Sequence, residues 1–292
     1  MTIADALAYA ASQLTAAEIE TPRYDAQLLL AWTLKVRRED LAREPERELT
    51  KREQIIFEKA VSLRVLRRPL PYITGEAWFY GRAFKINRAV LIPRPETEML
   101  AELALRACRD IQAPRFADIG TGSGCIAVTL ACERPDAQVW ATDLSADALT
   151  LARKNVVRYG LEERISLLHG DLLGPLPNHL HFDAIVSNPP YVTEAEVAQL
   201  QPEVRDYEPL LALSGLGSAA GMDGTALHRR LLAEAPGLLK PGGCLLLEVG
   251  QGQAESVAGA ARELGYADVA IADDFSGIGR VVTACLSENC FP

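Results

Sequence analysis

Arg115-Phe-Ala-Asp118-Ile-Gly120-Thr-Gly122-Ser-Gly124-Cys-Ile-Ala-Val128 runs from a short, mostly apolar stretch through three alternating glycines straight into a second apolar run. A strand, a glycine turn and a helix in immediate succession open a parallel sheet whose ligand lies beyond the carboxyl end of the strand. Glycines let the backbone come close to that ligand, and the helix start offers unpaired N–H groups. The spacing G-x-G-x-G sets this loop apart from the G-x-G-x-x-G of dinucleotide folds, whose third glycine comes one position later. Taken alone the loop separates nicotinamide binders from nucleoside binders only weakly.

Outward from this stretch the same alternation continues. Short apolar runs near 115–119, 138–142, 164–168, 182–187, 243–249, 267–272 and 279–285 alternate with amphipathic segments, which predicts an α/β fold with a mostly parallel sheet and helices on both faces. The first seventy residues read differently. Leu28, Leu29, Trp32 and Val36 recur at helical spacing after Thr21-Pro22, and Ile55, Ile56, Lys59, Ala60, Leu63 and Leu66 do so after Thr50 with Glu53 in a capping-box pattern. Pro69 and Pro71 stop the second run, and residues 1–71 are expected to form a small helical bundle. Residues 72–92 mix aromatic and β-branched residues with glycine in the manner of a β-hairpin linker, leaving 93–292 as the α/β domain.

The chain's 292 residues are 49% apolar and 24% charged, a globular composition that excludes disorder and collagen. The net charge is −9, and it is unevenly placed. Residues 1–75 hold 12 basic and 11 acidic side chains, while residues 76–292 hold 18 basic and 28 acidic, so the larger part repels phosphate and anionic lipid. No signal peptide and no run of eighteen apolar residues is present, and a cytoplasmic protein is expected. Cys108, Cys125, Cys132, Cys244, Cys285 and Cys290 form no Cys-x-x-Cys pair and read as reduced core thiols. His179 and His181 fall in a loop feeding a strand, and no metal site is expected. Lys59, Arg64, Arg67 and Arg68 offer either a partner contact or a solvated helix face.

Three further loops follow strands and so carry chemistry. Asp143 ends the second strand, nineteen residues after Gly124, where a carboxylate accepts the hydroxyls of a ribose; the rival role, capping the next helix, is already filled by Ser145. The third strand ends His169-Gly-Asp171-Leu172, a place for a side chain beside an adenine or for a plain turn. The fourth is followed by Asn188-Pro189-Pro190-Tyr191, where consecutive prolines make the loop extended and stiff. The Asn188 side-chain carbonyl and the Pro189 backbone carbonyl are two acceptors on one frame, matched to the two donors of a planar NH2 group, and Tyr191 supplies a flat ring.

With these loops, Ile92-Pro-Arg94-Pro-Glu96-Thr-Glu98, Asp118 to Gly124, Ala141-Thr-Asp143, Val186 to Tyr191 and Leu247-Glu248-Val-Gly250, the chain resembles the HemK/PrmC-type family of class I S-adenosylmethionine-dependent methyltransferases, which methylate a glutamine of peptide chain release factors. The resemblance extends over nearly the whole chain. It implies a Rossmann-like seven-stranded sheet behind a helical substrate-docking domain, with S-adenosylmethionine as cofactor and S-adenosylhomocysteine as product. It implies cofactor contacts at Gly120, Thr121, Gly122, Ser123, Gly124, Asp143, Leu172 and Asn188, a substrate motif at Asn188, Pro189, Pro190 and Tyr191, and catalysis by Asn188, Pro189 and Tyr191. The expected substrate is the glutamine of a release factor's Gly-Gly-Gln loop, methylated on N5 by a monomer that touches neither nucleic acid nor membrane. The roles of Arg94, Glu96 and Glu98 stay unassigned. An N6-adenine nucleic-acid methyltransferase is the rival, disfavoured by the acidic domain and the lack of an inserted target-recognition segment. A ribosomal-protein glutamine methyltransferase is a second, from which the Pro-Arg segment separates this chain. A nicotinamide dehydrogenase would leave the Asn-Pro-Pro-Tyr loop unexplained, and a scaffold without activity would leave the intact motifs so.

Overall fold

The computed structural model describes residues 1–215 and 221–288, which divide into two units: residues 1–76 with 201–207, and residues 77–200 with 208–292.

The first unit is built on helices α1 (Ile3–Ala16), α2 (Pro22–Leu34), α3 (Lys51–Val65) and α4 (Leu70–Thr74). Their starts follow from local chemistry. Thr50 and Glu53 exchange hydrogen bonds in a capping box, Thr2 and Asp5 form a second one, and Pro22 occupies the first turn of α2. The buried stripes are rotated from those expected. Trp32 and Val36 are exposed, as are Ile55 and Leu66, while Ala26, Leu29 and Leu30 meet Phe57, Ala60 and Val61 in the core. The shift on α3 follows from Arg64, which completes the 57-60-61-64 face as a buried cation. Its guanidinium donates to Asp25 at 2.7 Å and to Glu203 at 3.0 Å, and Arg67 donates to Glu203 at 2.9 Å. Two of the four cations considered for a partner contact are thus spent on the fold of this unit. α3 ends at Val65, ahead of Pro69 and Pro71 as expected, and these prolines then open α4, where a proline in the first turn lacks only an N–H that would go unpaired.

In the second unit the hairpin is confined to β1 (Glu76–Phe79) and β2 (Arg82–Lys85), narrower than the 72–92 span read from composition. It is fastened by Asn155, whose amide bridges the Lys85 backbone and the Ser123 carbonyl, and by the Tyr159 hydroxyl donating to Ala83. Helix α5 (Pro95–Ala107) leads into β3 (Arg115–Ile119), α6 (Cys125–Glu133), β4 (Gln138–Asp143), α7 (Ala146–Arg158), β5 (Ile165–His169) and β6 (Phe182–Ser187). After the helix Ala226–Glu234 come β7 (Leu239–Glu248), the helix Ala254–Glu263, β8 (Asp268–Asp273) and β9 (Gly279–Cys285). The seven strands are ordered β5-β4-β3-β6-β7-β9-β8, parallel except for β9, which runs antiparallel to both its neighbours. Chain order reverses between β3 and β6, and the crevice outside their carboxyl ends is the natural ligand site of such a sheet. All six residues of β6 are buried, as a central strand covered on both faces requires.

Register overturns one expectation. Cys244 and Cys285 stand directly opposite one another on β7 and β9 and are joined in a disulfide, whereas the sequence spacing suggested reduced thiols. Cys108, Cys125 and Cys132 are free, and Cys290 lies outside the described residues.

Candidate active site

A cleft of about 480 Å3 opens at the carboxyl ends of β3, β4, β5 and β6. Its floor is the loop after β3. Gly120, Gly122 and Gly124 have φ of 74°, 56° and 80°, a left-handed region that side chains with a Cβ rarely enter. The loop is tied to β4 by the Gly120 and Thr121 N–H groups, both donating to the Thr142 carbonyl at 2.9 Å. Gly124 stands behind the cleft lining as the residue before α6, where a Cβ would come within 3.3 Å of the Ala152 methyl.

Under this loop lies Asp118, fully buried. Its Oδ2 accepts the Thr121 hydroxyl at 2.6 Å and the Ala127 N–H at 3.1 Å, while Oδ1 has no partner among the described residues. Burial pushes its carboxyl up to about 7, because the charged form loses water and regains only part of it in hydrogen bonds. Asp143 ends β4 and lines the cleft. It accepts the Gly122 N–H on Oδ2 and the Ser145 N–H on Oδ1, each at 2.8 Å, so it braces the glycine loop as well as facing the cleft; burial raises its pKa and these N–H donors counter the rise. Ser145 caps α7 through the Ala148 N–H, as expected.

Leu172 also lines the cleft, held at φ 43° with its carbonyl accepting the Thr142 hydroxyl at 2.9 Å. A non-glycine residue in that region is strained by about 1–3 kcal/mol, and such strain gathers at ligand sites. Leu144, Ile126 and Leu227 share the lining and make this flank of the cleft apolar.

Asn188 and Pro190 line the cleft beyond β6; Pro189 is buried behind them, and Tyr191 is half-buried outside the lining. The Asn188 Nδ2 donates to the Thr97 hydroxyl at 3.2 Å, leaving Oδ1 as the other end of the amide. Thr97 and Tyr191 lie near the Glu248 carboxylate at the end of β7, whose Oε2 has no hydrogen-bond partner among the described residues. Glu248 is 2% exposed, and burial pushes it up to about 7. The same environment raises the Tyr191 phenol, with Glu248 adding to the rise. Gln253 donates to the Tyr191 carbonyl at 3.1 Å and fixes the end of the loop.

Gly120, Thr121, Gly122, Ser123, Asp143, Leu172, Asn188 and Pro190 are thus gathered around one cleft, while Gly124, Pro189 and Tyr191 are adjacent to it. Thr97, Asp118 and Glu248 were missed as site residues. The available signal was a charged residue inside or closing a run of apolar strand residues, in Phe-Ala-Asp118-Ile and Leu-Leu-Leu-Glu248. The Pro-Arg segment now has contacts too. Arg94 pairs with the buried Glu208 at 2.6 Å, Glu208 accepts the Ile92 N–H at 3.2 Å, and Glu98 accepts the Tyr80 N–H at 2.7 Å; Glu96 is exposed.

Comparison with known proteins agrees over the whole length. Residues 5–75 match the family model of the PrmC N-terminal domain, and residues 97–203 that of the Methyltransferase small domain. The chain is 41% identical to the release factor glutamine methyltransferase of Moorella thermoacetica over 99% of this chain and 100% of that one. It is 42% identical to the protein of the same name from Koribacter versatilis, over 97% of this chain and 98% of its relative. Among solved structures, a methyltransferase from Pyrococcus furiosus shares the fold with a TM-score of 0.52 at 18% identity, covering 77% of this chain and 98% of that one.

Proposed function

The chain belongs to the release factor glutamine methyltransferases, and from that membership we propose that it transfers the methyl group of S-adenosylmethionine to the N5 side-chain nitrogen of the glutamine in a release factor's Gly-Gly-Gln motif. The observation that carries the reading is the Asn188 amide lining the same cleft as the glycine loop, so that an amide-recognising group and a nucleoside-sized recess share one space.

The residues around the cleft suit S-adenosylmethionine. Asp143 retains lone pairs beyond the two N–H bonds it accepts, enough for ribose hydroxyls, while Leu172, Leu144 and Ile126 give an apolar slot for a flat base. Gly120 to Ser123 present close backbone to the methionine end. When bound, the cofactor supplies an electrophilic methyl group on a sulfonium.

What the chain's own residues do is alignment. A glutamine nitrogen is a poor nucleophile, since its lone pair is delocalised into the carbonyl. With one N–H on the Asn188 oxygen and the other on the Pro189 carbonyl, the nitrogen is aimed along one line and its lone pair is favoured as it pyramidalises. The proton becomes acidic only as the new bond forms, so no strong general base is needed. A side chain lacking two donors leaves two buried acceptors unpaired, at about 1–3 kcal/mol each, which rejects other residues. Tyr191, whose carbonyl is held by Gln253, belongs to the substrate side in this reading.

The acidic 76–292 segment favours a protein rather than a nucleic-acid substrate, and a monomer acting in the cytoplasm completes the proposal. Among the described residues no helix is long and apolar enough to cross a membrane. The test is transfer of labelled methyl to a purified release factor. Label that vanishes when the Gly-Gly-Gln glutamine is changed to alanine supports the reading, and label appearing in a DNA control instead overturns it.

A further inference from the structure

We infer that Glu208 is a positioning residue for the transfer reaction: paired with Arg94, it latches residues 209–215 in place as a wall of the cleft that Asn188 lines. The inference rests on the proposed role of Asn188 and deepens it. Every residue it invokes lies in the second unit.

The wall is too short to hold itself. Pro209, Leu211, Ala212 and Gly215 line the cleft, and the only regular structure among them is a single helical turn, Leu210–Ser214. One turn is far below the length at which a helix is stable alone, so where these residues stand is decided by what they are fastened to. One fastening is Val192, next to Tyr191, whose N–H donates to the Leu213 carbonyl at 2.9 Å, with Leu213 and Ser214 buried. The other is Glu208, at the start of the segment.

The Glu208 side chain is 1% exposed. A carboxylate buried to that degree needs partners, and both come from one stretch of chain. Arg94 Nη2 donates to Oε1 at 2.6 Å and the Ile92 N–H donates to Oε2 at 3.2 Å, so each oxygen has a donor. That stretch leads into α5, where Thr97 accepts the Asn188 Nδ2. Residues 92–97 therefore fix both the amide of Asn188 and the wall that shares its cleft. Apolar side chains such as Pro209, Leu211 and Ala212 suit the two methylenes of a glutamine and narrow the directions from which its nitrogen meets the methyl group. Glu208 itself is not part of the lining, so it acts on transfer through Arg94 and the wall rather than by touching substrate or cofactor.

The test combines hydrogen exchange read by mass spectrometry, calorimetric titration with S-adenosylmethionine, and steady-state methyl transfer to a release factor. Glu208→Gln keeps the size of the side chain and loses its charge. It should raise exchange of the 210–215 amides about tenfold or more, leave that of residues 120–124 unchanged, and keep cofactor affinity within about threefold of wild type. The kcat should fall about ten- to a hundredfold with little change in KM for the release factor, because the wall orients a side chain already delivered to the cleft. Arg94→Lys, which keeps a cation for Glu208, should retain most of the rate that Arg94→Gln loses. Unchanged exchange at 210–215 or a wild-type kcat in Glu208→Gln overturns the inference, and so does exchange rising equally in residues 120–124, the mark of general loosening. If Glu208→Gln fails to fold, Arg94→Gln is judged by the same exchange and rate criteria. Absence of transfer by wild type counts against the proposed function instead, and the exchange pattern then still decides whether the pair holds the wall.

Discussion

The Gly122 N–H donates to the Asp143 carboxylate at 2.8 Å across the loop between β3 and β4. One side chain therefore holds the glycine loop in its left-handed course and faces the space that loop encloses. Asp143→Ala removes both at once. Each hydrogen bond to a charged group is worth about 1.5–3 kcal/mol, so cofactor affinity should fall by about a hundredfold or more. Calorimetric titration with S-adenosylmethionine checks this, and a Kd within a few-fold of wild type would refute the bracing role.

Asn188→Ala takes away the amide acceptor and leaves the glycine loop and Asp143 in place. Turnover should become undetectable, a loss of about a thousandfold or more, while cofactor binding is weakened but measurable. Single-turnover methyl transfer alongside calorimetry separates the two. Near-normal turnover would contradict the alignment role.

Asp118 makes stability depend on pH. Its carboxyl sits at about 7 in the folded chain against an ordinary 3.8, so between those values the native state holds a proton that the unfolded chain has released. Stability from this group is full below about pH 4 and is lost as pH rises through about 7. Asp118→Asn keeps an oxygen for the Thr121 and Ala127 donors and cannot ionise. Its melting temperature should fall less than that of wild type between pH 5 and pH 8. Parallel curves for the two proteins would show that Asp118 does not titrate in this window.

In the helical unit, Arg64 is the buried link between Asp25 and Glu203. Arg64→Ala strands two carboxylates and should cost about 3–5 kcal/mol in denaturant unfolding of that unit. Arg67→Ala, removing a more exposed contact to Glu203, should cost under about 1 kcal/mol. Equal effects of the two changes would mean that burial is not what sets the energetics here.

Much of the site was legible because strand ends are legible. Each of Asp143, Leu172 and Asn188 follows a short apolar run, and a doubly wound sheet delivers such positions to one edge. The buried faces of α2 and α3 were misread because Trp32, Ile55 and Leu66 are apolar by composition yet exposed, while Arg64 is charged yet buried. Periodicity counts apolar residues; it does not register that a guanidinium can be buried once two carboxylates, one from a segment 139 residues away, arrive to meet it. Cys244 and Cys285 escaped for a similar reason, being 41 residues apart in the chain and opposite one another only through the antiparallel register of β7 and β9.

By itself the sequence determined the alternation of strands and helices, the glycine loop, the stiff Asn-Pro-Pro-Tyr turn and the family to which they belong. These are local properties, written in backbone preferences and the spacing of apolar residues within a few tens of positions. Tertiary structure alone decided which buried charges meet and which stay alone: Asp118 beneath the glycine loop, Arg64 between two acids, and Glu248 buried at the end of β7. Their behaviour depends on desolvation and on partners brought from distant strands and helices, and no spacing along the chain encodes how far water is excluded from a carboxylate.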